Sequence, residues 1–111
     1  MRINEKRQGA VAVIQGDGPL VGEDAEQLGK LVTDAAASNL GRVVLDMSAI
    51  AFVDSRGLEI LLDLAERVAE GGRTLKLCAT NKTVRQVLEL TGLVSSFEYF
   101  DDTHSAVRSF L

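Results

Sequence analysis

The 111-residue sequence contains no tryptophan and only one cysteine, one histidine and one proline, and aromatic residues make up 5% of it. The single cysteine, Cys78, excludes an internal disulfide and fits a reducing compartment. One histidine and one cysteine offer neither a histidine-rich metal cluster nor an evident catalytic triad. Because aromatic rings are so few, we expect a core of leucine, valine, isoleucine and alanine.

Long apolar runs and clusters of basic residues are also missing. No window approaches the ~18 apolar residues of a membrane span, and residues 1–6 lack the apolar run of a signal peptide. The net charge of −4 opposes binding to nucleic acid and to anionic membranes. We therefore expect a soluble, cytoplasmic protein with no membrane span and no nucleic-acid partner.

Motifs of common enzyme sites are absent as well. The chain has no Gly-x-Ser-x-Gly elbow, no glycine-rich phosphate loop and no histidine and cysteine pairs at metal-binding spacing. His104 stands alone among polar neighbours, which is typical of a surface histidine. We expect no enzyme activity, no cofactor and no bound metal.

What remains is the composition of one globular domain. Hydrophobic residues make up 46% of the chain and charged residues 25%, which argues against disorder. No linker, repeat or low-complexity stretch divides it. We expect residues 1–111 to form a single domain.

Apolar runs that alternate with helical periods predict the element order β-β-α-β-α-β-α-β-α. Residues 3–6 and 10–14 predict a hairpin turning at Gln8-Gly9, with residues 16–19 ending the second strand. Later strands are predicted at residues 43–45, 75–79 and 97–100. This order predicts an α/β fold with a mostly parallel sheet of four to five strands and about four helices. Whether the helices cover one face of the sheet or both stays open.

Apolar residues at helical spacing predict which face of each helix meets the core. The first helix begins near Asp24 and presents Ala25, Leu28, Leu31, Val32, Ala35 and Ala36. The second follows Gly57 and presents Leu58, Leu61, Leu62, Ala65, Val68 and Ala69. The third, capped by Thr80 or Asn81, presents Val84, Val87, Leu88 and Thr91. The last, capped by Asp101 or Asp102, presents Ala106, Val107, Phe110 and Leu111. We expect the apolar residues 49–53 to be buried.

One turn carries the most chemical information. An apolar strand leads through residues 49–53 into Asp54-Ser55-Arg56-Gly57, and a helix follows. A helix N-terminus has unpaired N–H groups and a favourable dipole for an anion. A phosphate on Ser55, adding about −1.5 to −2 charges, would therefore be tolerated by the fold. The alternative is that Ser55 is an unmodified helix cap.

These residues resemble the signature of the STAS domain, the fold of bacterial anti-sigma-factor antagonists. In that family an apolar strand precedes an Asp-Ser-x-Gly-Leu turn and a helix. Residues 84–93 resemble the family's helix that ends in a Thr/Ser-Gly-Leu turn, and residues 18–20 leading into 25–28 are a third match. The resemblance spans nearly the whole chain.

The resemblance implies a mechanism of partner switching. The unphosphorylated antagonist binds an anti-sigma factor, itself a serine kinase of the GHKL type, and so frees the sigma factor. Phosphorylation of Ser55 breaks that complex, and a phosphatase restores it. We expect a monomer or weak homodimer that contacts its partner through Val21, Gly22, Glu23, Asp54, Ser55, Arg56, Gly57, Glu59, Ile60 and Asp63.

Several of these residues have specific expected roles. Asp54 caps the helix or holds the Ser55 loop, and Gly57 lets a kinase or partner backbone approach closely. Arg56 departs from the small residue common in the family and would neutralise part of a phosphate or tune partner choice. Ile60, like Leu64, lies beside the core stripe, so either the next helix covers it or it belongs to a docking surface. Val21 stands where many members carry a polar residue.

Two rival functions stay open at this stage. One is a STAS subunit that is never phosphorylated, as in stressosome-like scaffolds or lipid-transport assemblies. The other is a phospho-aspartate receiver domain, because residues 44–47 resemble a receiver's phosphorylated strand end. A receiver also needs an acidic pair after its first strand to hold Mg²⁺, and only Asp17 is near that position.

Overall fold

The computed structural model describes all 111 residues and begins with a β-hairpin. Strands β1 (Arg2–Gln8) and β2 (Val11–Asp17) pair antiparallel, and Gly9 at the turn has φ +63°. The predicted hairpin is confirmed, but β2 runs further than residues 10–14. It continues to Asp17 because β1 still offers partners there: Ile3 pairs with Gly16, and Arg2 with Asp17.

Three more strands complete a single five-stranded sheet. They are β3 (Val43–Asp46), β4 (Leu75–Cys78) and β5 (Phe97–Phe100), each parallel to the strand before it, starting from β2. The strand order β1-β2-β3-β4-β5 follows the chain. The predicted mostly parallel sheet and its element order are confirmed. Receiver domains use the order 2-1-3-4-5, so that alternative is wrong.

Four helices alternate with these strands, as predicted. They are α1 (Gly22–Ser38), α2 (Ser55–Glu70), α3 (Lys82–Leu90) and α4 (Thr103–Arg108). Of the alternative caps, Asn81 and Asp102 are the ones used, and they accept N–H bonds at 2.7 Å from Val84 and Ser105. A short 3₁₀ turn at Val94–Ser96, which the sequence analysis did not predict, precedes β5.

The helices divide between the two faces of the sheet. A core of 20 buried residues fills the face covered by α1, α2 and α3. On the other face α4 covers a smaller cluster, which consists of Val11, Val13, Val44, Cys78 and Ala106. The helices thus cover both faces of the sheet, which was left open by the sequence. Burial raises the pKa of the Cys78 thiol and so favours its protonated form.

Several residues that were expected in the core are exposed. Exposed in the structure are Leu31, Ala51, Phe52, Ala69, Thr91 and Leu111. Leu64, expected beside the stripe, is 3% exposed, and a Cβ on Gly29 of α1 would lie 2.7 Å from Cγ2 of Ile60. The buried arc of α2 is rotated because this helix packs against α1 as well as against the sheet. The preceding helix, not the next, therefore covers Leu64 and half-buries Ile60.

Two adjacent leucines of α2 differ in burial, and this difference tests the rotation of the helix. Leu61→Ala removes a fully buried side chain and should lower the free energy of unfolding by about 2–5 kcal/mol. Leu62→Ala, at the neighbouring half-buried position, should cost clearly less because solvent can reach the space it leaves. Urea unfolding of both variants measures the difference. Equal costs would contradict the observed rotation of α2.

Candidate functional site

Ser55 is the first residue of α2, and its side chain is exposed. The capping role at this helix belongs to the residue before it. Asp54 has an extended backbone, and its Oδ1 accepts a hydrogen bond from the N–H of Gly57 at 2.8 Å. The hydroxyl of Ser55 is therefore not the helix cap, and it lies at the surface beside the free end of the helix.

Asp54 also joins α2 to the loop that leads into α1. Its Oδ2 accepts a hydrogen bond from the N–H of Gly22 at 3.2 Å, and its own N–H donates to the carbonyl of Leu20 at 3.2 Å. The N–H of Leu20 in turn donates to the carbonyl of Phe52 at 3.0 Å. These bonds bring Val21, Gly22 and Glu23, which the sequence predicted as contact residues, next to Asp54-Ser55.

The close approach at Gly57 comes from within the chain. A Cβ at this position would lie 2.2 Å from the carbonyl oxygen of Leu20, and Gly57 is buried. From the sequence, the missing Cβ was expected to let a kinase or partner backbone approach. That interpretation is wrong, because the backbone that needs the space is the protein's own loop before α1.

Arg56 is held by carboxylates from two helices. Its Nε and Nη2 lie 3.0 and 2.8 Å from Oε1 of Glu26 on α1, and its Nη1 lies 2.9 Å from Oε2 of Glu59 on α2. The hydrogen bond with Glu26, followed by that with Glu59, raises the pKa of Arg56. The guanidinium is already paired, so less of its charge is available to a phosphate on Ser55.

The exposed surface around Ser55 is acidic with one apolar residue. Glu23, Glu59 and Asp63 are exposed, whereas Ile60 lies half-buried against α1. Phe52, which the sequence analysis placed in the core, is 51% exposed three residues before Ser55. Large aromatic side chains are enriched at protein interfaces.

The full role of Asn81, like the exposure of Phe52, was not predicted from the sequence. Its Oδ1 caps α3, and its Nδ2 donates to the carbonyls of Ile50 and Ala51, both at 3.1 Å. One amide thus fixes the loop that carries Phe52 to the start of α3. The sequence signal identified the cap alone, because the contact to residues 50–51 spans about thirty positions.

The structure contains no group of three or more histidine, cysteine or acidic residues that could hold a metal ion. None of its helices combines the length and apolar character needed to cross a membrane. The arrangement is an acidic turn that presents an exposed hydroxyl at a helix start.

Comparison with known proteins identifies the family. The family model described as the STAS domain matches residues 2–106, so the chain belongs to the STAS domain family. The predicted membership in the anti-sigma-factor antagonist family of regulatory, non-enzymatic domains is confirmed.

Three relatives illustrate the match. The anti-sigma-F factor antagonist RsfB of Mycobacterium tuberculosis is 30% identical over 99 residues, which cover 87% of this chain and 79% of RsfB. An anti-sigma-factor antagonist (STAS) domain protein from Planctomyces limnophilus superposes with a TM-score of 0.82 at 21% identity, over 96% of each chain. The Bacillus cell fate determinant SpoIIAA in its phosphorylated form superposes with a TM-score of 0.74 at 18% identity, over 99% of this chain and 100% of SpoIIAA.

Replacement of Gly57 tests the contact that positions the turn. Gly57→Ala should lower the free energy of unfolding by about 1–3 kcal/mol, because the new Cβ forces the Leu20 carbonyl or α2 to move. Gly71→Ala is the matched control, since its Cβ would meet nothing closer than 3.5 Å and its φ is −85°. Chemical denaturation compares the two. Similar stabilities would mean that the turn is not tightly packed.

The capping oxygen and the donating nitrogen of the Asn81 side chain can be tested separately by mutation. Asn81→Asp keeps a good helix cap but removes both donors to residues 50–51, each worth about 0.5–1.5 kcal/mol. We expect faster amide hydrogen exchange at Leu20 and Asp54, whose N–H groups donate across this loop, while α3 stays protected. Asp102→Asn, at a cap whose side chain makes no such second contact, is the control. Unchanged exchange at Leu20 and Asp54 would show that Asn81 acts as a cap alone.

Proposed function

We propose that this chain is an anti-sigma-factor antagonist that binds its anti-sigma factor through the surface around Ser55 and releases it when Ser55 is phosphorylated. The observation that carries the proposal is the state of Ser55 itself. It is exposed at the first position of α2, and its hydroxyl is free because Asp54 performs the capping. Two similar proteins support it: RsfB is named an anti-sigma-F factor antagonist, and SpoIIAA has a phosphorylated form of the same fold.

The free protein can accept a phosphate at this position. In the first turn of α2, the N–H of Gly57 is bonded to Asp54 and that of Leu58 to the Asp54 carbonyl, which leaves those of Ser55 and Arg56 at the open end of the helix. Unpaired N–H groups and the positive end of the helix dipole stabilise an anion. Phosphorylation should therefore leave the fold intact.

The complex should respond differently because the partner excludes water from the same surface. A phosphate adds about −1.5 to −2 charges beside Glu59 and Asp63. Arg56, the nearby cation, is already paired with Glu26 and Glu59. A desolvated dianion among carboxylates is costly unless the partner supplies cations, so the modification lowers affinity without changing the antagonist's shape.

The enzymes and setting of this cycle are part of the proposal. The anti-sigma factor is a serine kinase of the GHKL type that transfers the phosphate from ATP to Ser55, and a phosphatase removes it. The antagonist acts in the cytoplasm as one domain, residues 1–111, and presents Glu23, Phe52 and Ser55 as its central contacts. Phe52 supplies the apolar anchor that a mainly acidic surface otherwise lacks.

Titration calorimetry against the GHKL-type anti-sigma kinases of the same genome tests this function. Ser55→Ala should bind like the unphosphorylated protein and take up no phosphate. Ser55→Glu should weaken binding at least about tenfold, or about 1.4 kcal/mol, and less than true phosphorylation because a carboxylate carries less charge. Its melting temperature should barely change.

Ser95→Glu, an equal charge change at an exposed serine outside this surface, is the control and should bind normally. Mass spectrometry should place a single phosphate on Ser55 after incubation with kinase and ATP. Equal affinities for the wild type, the phosphorylated protein and Ser55→Glu would mean that the domain is a constitutive scaffold.

A further inference from the structure

The end of the molecule opposite Ser55 gathers arginines from distant parts of the sequence. At this end all four helices finish and strands β2 to β5 begin. The arginines located there, which we call the arginine pole, are Arg7, Arg42, Arg67, Arg73 and Arg108. The sequence shows no basic cluster because these residues lie up to about a hundred positions apart.

The charges of the arginine pole are not neutralised within the chain. None of the five takes part in any of the six ion pairs of the structure. Arg7 donates to the side chain of Asn39, and Arg73 donates to the carbonyl of Leu40 at 3.0 Å. The Nε of Arg42 is buried without a hydrogen-bond partner.

A strained, exposed leucine lies among these arginines. Leu40 has φ +57°, in the left-handed region that favours glycine, and it is 72% exposed. It lines a groove of about 510 Å³ between the ends of α1 and α2, together with Arg67, Arg73 and one carboxylate, Glu70. Leu40 is thus an apolar side chain held at the surface in a backbone conformation that leucine disfavours. Together with the unpaired cations beside it, Leu40 suits contact with an acidic protein surface.

The opposite end of the same chain has the complementary character. Glu23, Asp24, Glu26, Asp54 and Glu59 lie there, and the cations that contact them are Arg56 and the ammonium of Met1. Phe52, 51% exposed, is its apolar residue. We call this end the serine pole. Because α2 has 16 residues and so spans about 24 Å, the two poles are well separated on one rigid body.

We propose that the arginine pole binds the serine pole of a second copy of this chain, giving weak head-to-tail association. Carboxylates of one copy meet the unpaired arginines of the next, and Phe52 packs near Leu40. Two arginine poles or two serine poles would repel one another, so a symmetric dimer through either end is disfavoured. A head-to-tail contact leaves one pole of each kind free, and it therefore extends into open chains.

Sedimentation velocity on the purified chain tests this association without any other protein. In low salt, the weight-average sedimentation coefficient should rise with protein concentration. At about 0.5 M salt the rise should disappear, because the Debye length falls to about 4 Å. A coefficient independent of concentration in low salt would overturn the proposal.

Two variants, each disabled at one pole, distinguish head-to-tail from symmetric pairing. Arg67→Glu disables the arginine pole, and Glu23→Gln with Phe52→Ser disables the serine pole. Each variant alone should stay monomeric, and an equimolar mixture should form a complex that stops at two copies. Lys30→Glu, an equal charge change on the middle of α1, is the control and should associate like the wild type. No complex in the mixture, or association of either variant alone, would overturn the proposal.

Discussion

The geometry of this domain's functional end depends on the carboxylate of Asp54. One of its oxygens holds the first turn of α2 and the other holds the first residue of α1. A neutral side chain could perform one of these tasks, but a carboxylate accepts both bonds in opposite directions. The same interaction releases Ser55 from capping, so the structural role of Asp54 is what makes the adjacent hydroxyl available.

The second constraint is the contact between Gly57 and Leu20. The two loops can be tied together by Asp54 only if the Leu20 carbonyl reaches the surface of α2, where any side chain at position 57 would collide with it. The Asp-Ser-x-Gly pattern thus encodes a packing solution and an exposed hydroxyl in the same four residues. This explains how a short motif can indicate both the fold and a candidate site.

Local periodicity was sufficient to predict the element order, the mostly parallel sheet and the position of Ser55 at a helix start. It failed where burial depends on neighbours distant in sequence. Leu64 is buried and Leu31 exposed because α1 and α2 pack on each other, and no helical period records that contact. Phe52 was assigned to the core because its apolar run was continuous. In the structure the Asn81 amide and the Leu20 N–H bond to the backbone of residues 50–52, and Ala51 and Phe52 lie at the surface while Ile50 is buried.

The electrostatic organisation follows from topology. Parallel strands joined by helices place the helix starts at one end of the sheet and the helix ends at the other. Acidic residues at helix starts and basic residues at helix ends complement the helix dipole. Glu23 and Asp24 of α1, Arg67 of α2 and Arg108 of α4 follow this rule, whereas α3 has no such residues. A chain of net charge −4 therefore acquires one strongly acidic end and one end with unpaired arginines. A charge added at Ser55 acts at the acidic end, where repulsion from Glu59 and Asp63 is strongest and Arg56 is already occupied. The proposed response to phosphorylation thus needs no change of fold: the packing that builds the helix starts also places the charge where a bound partner is least able to tolerate it.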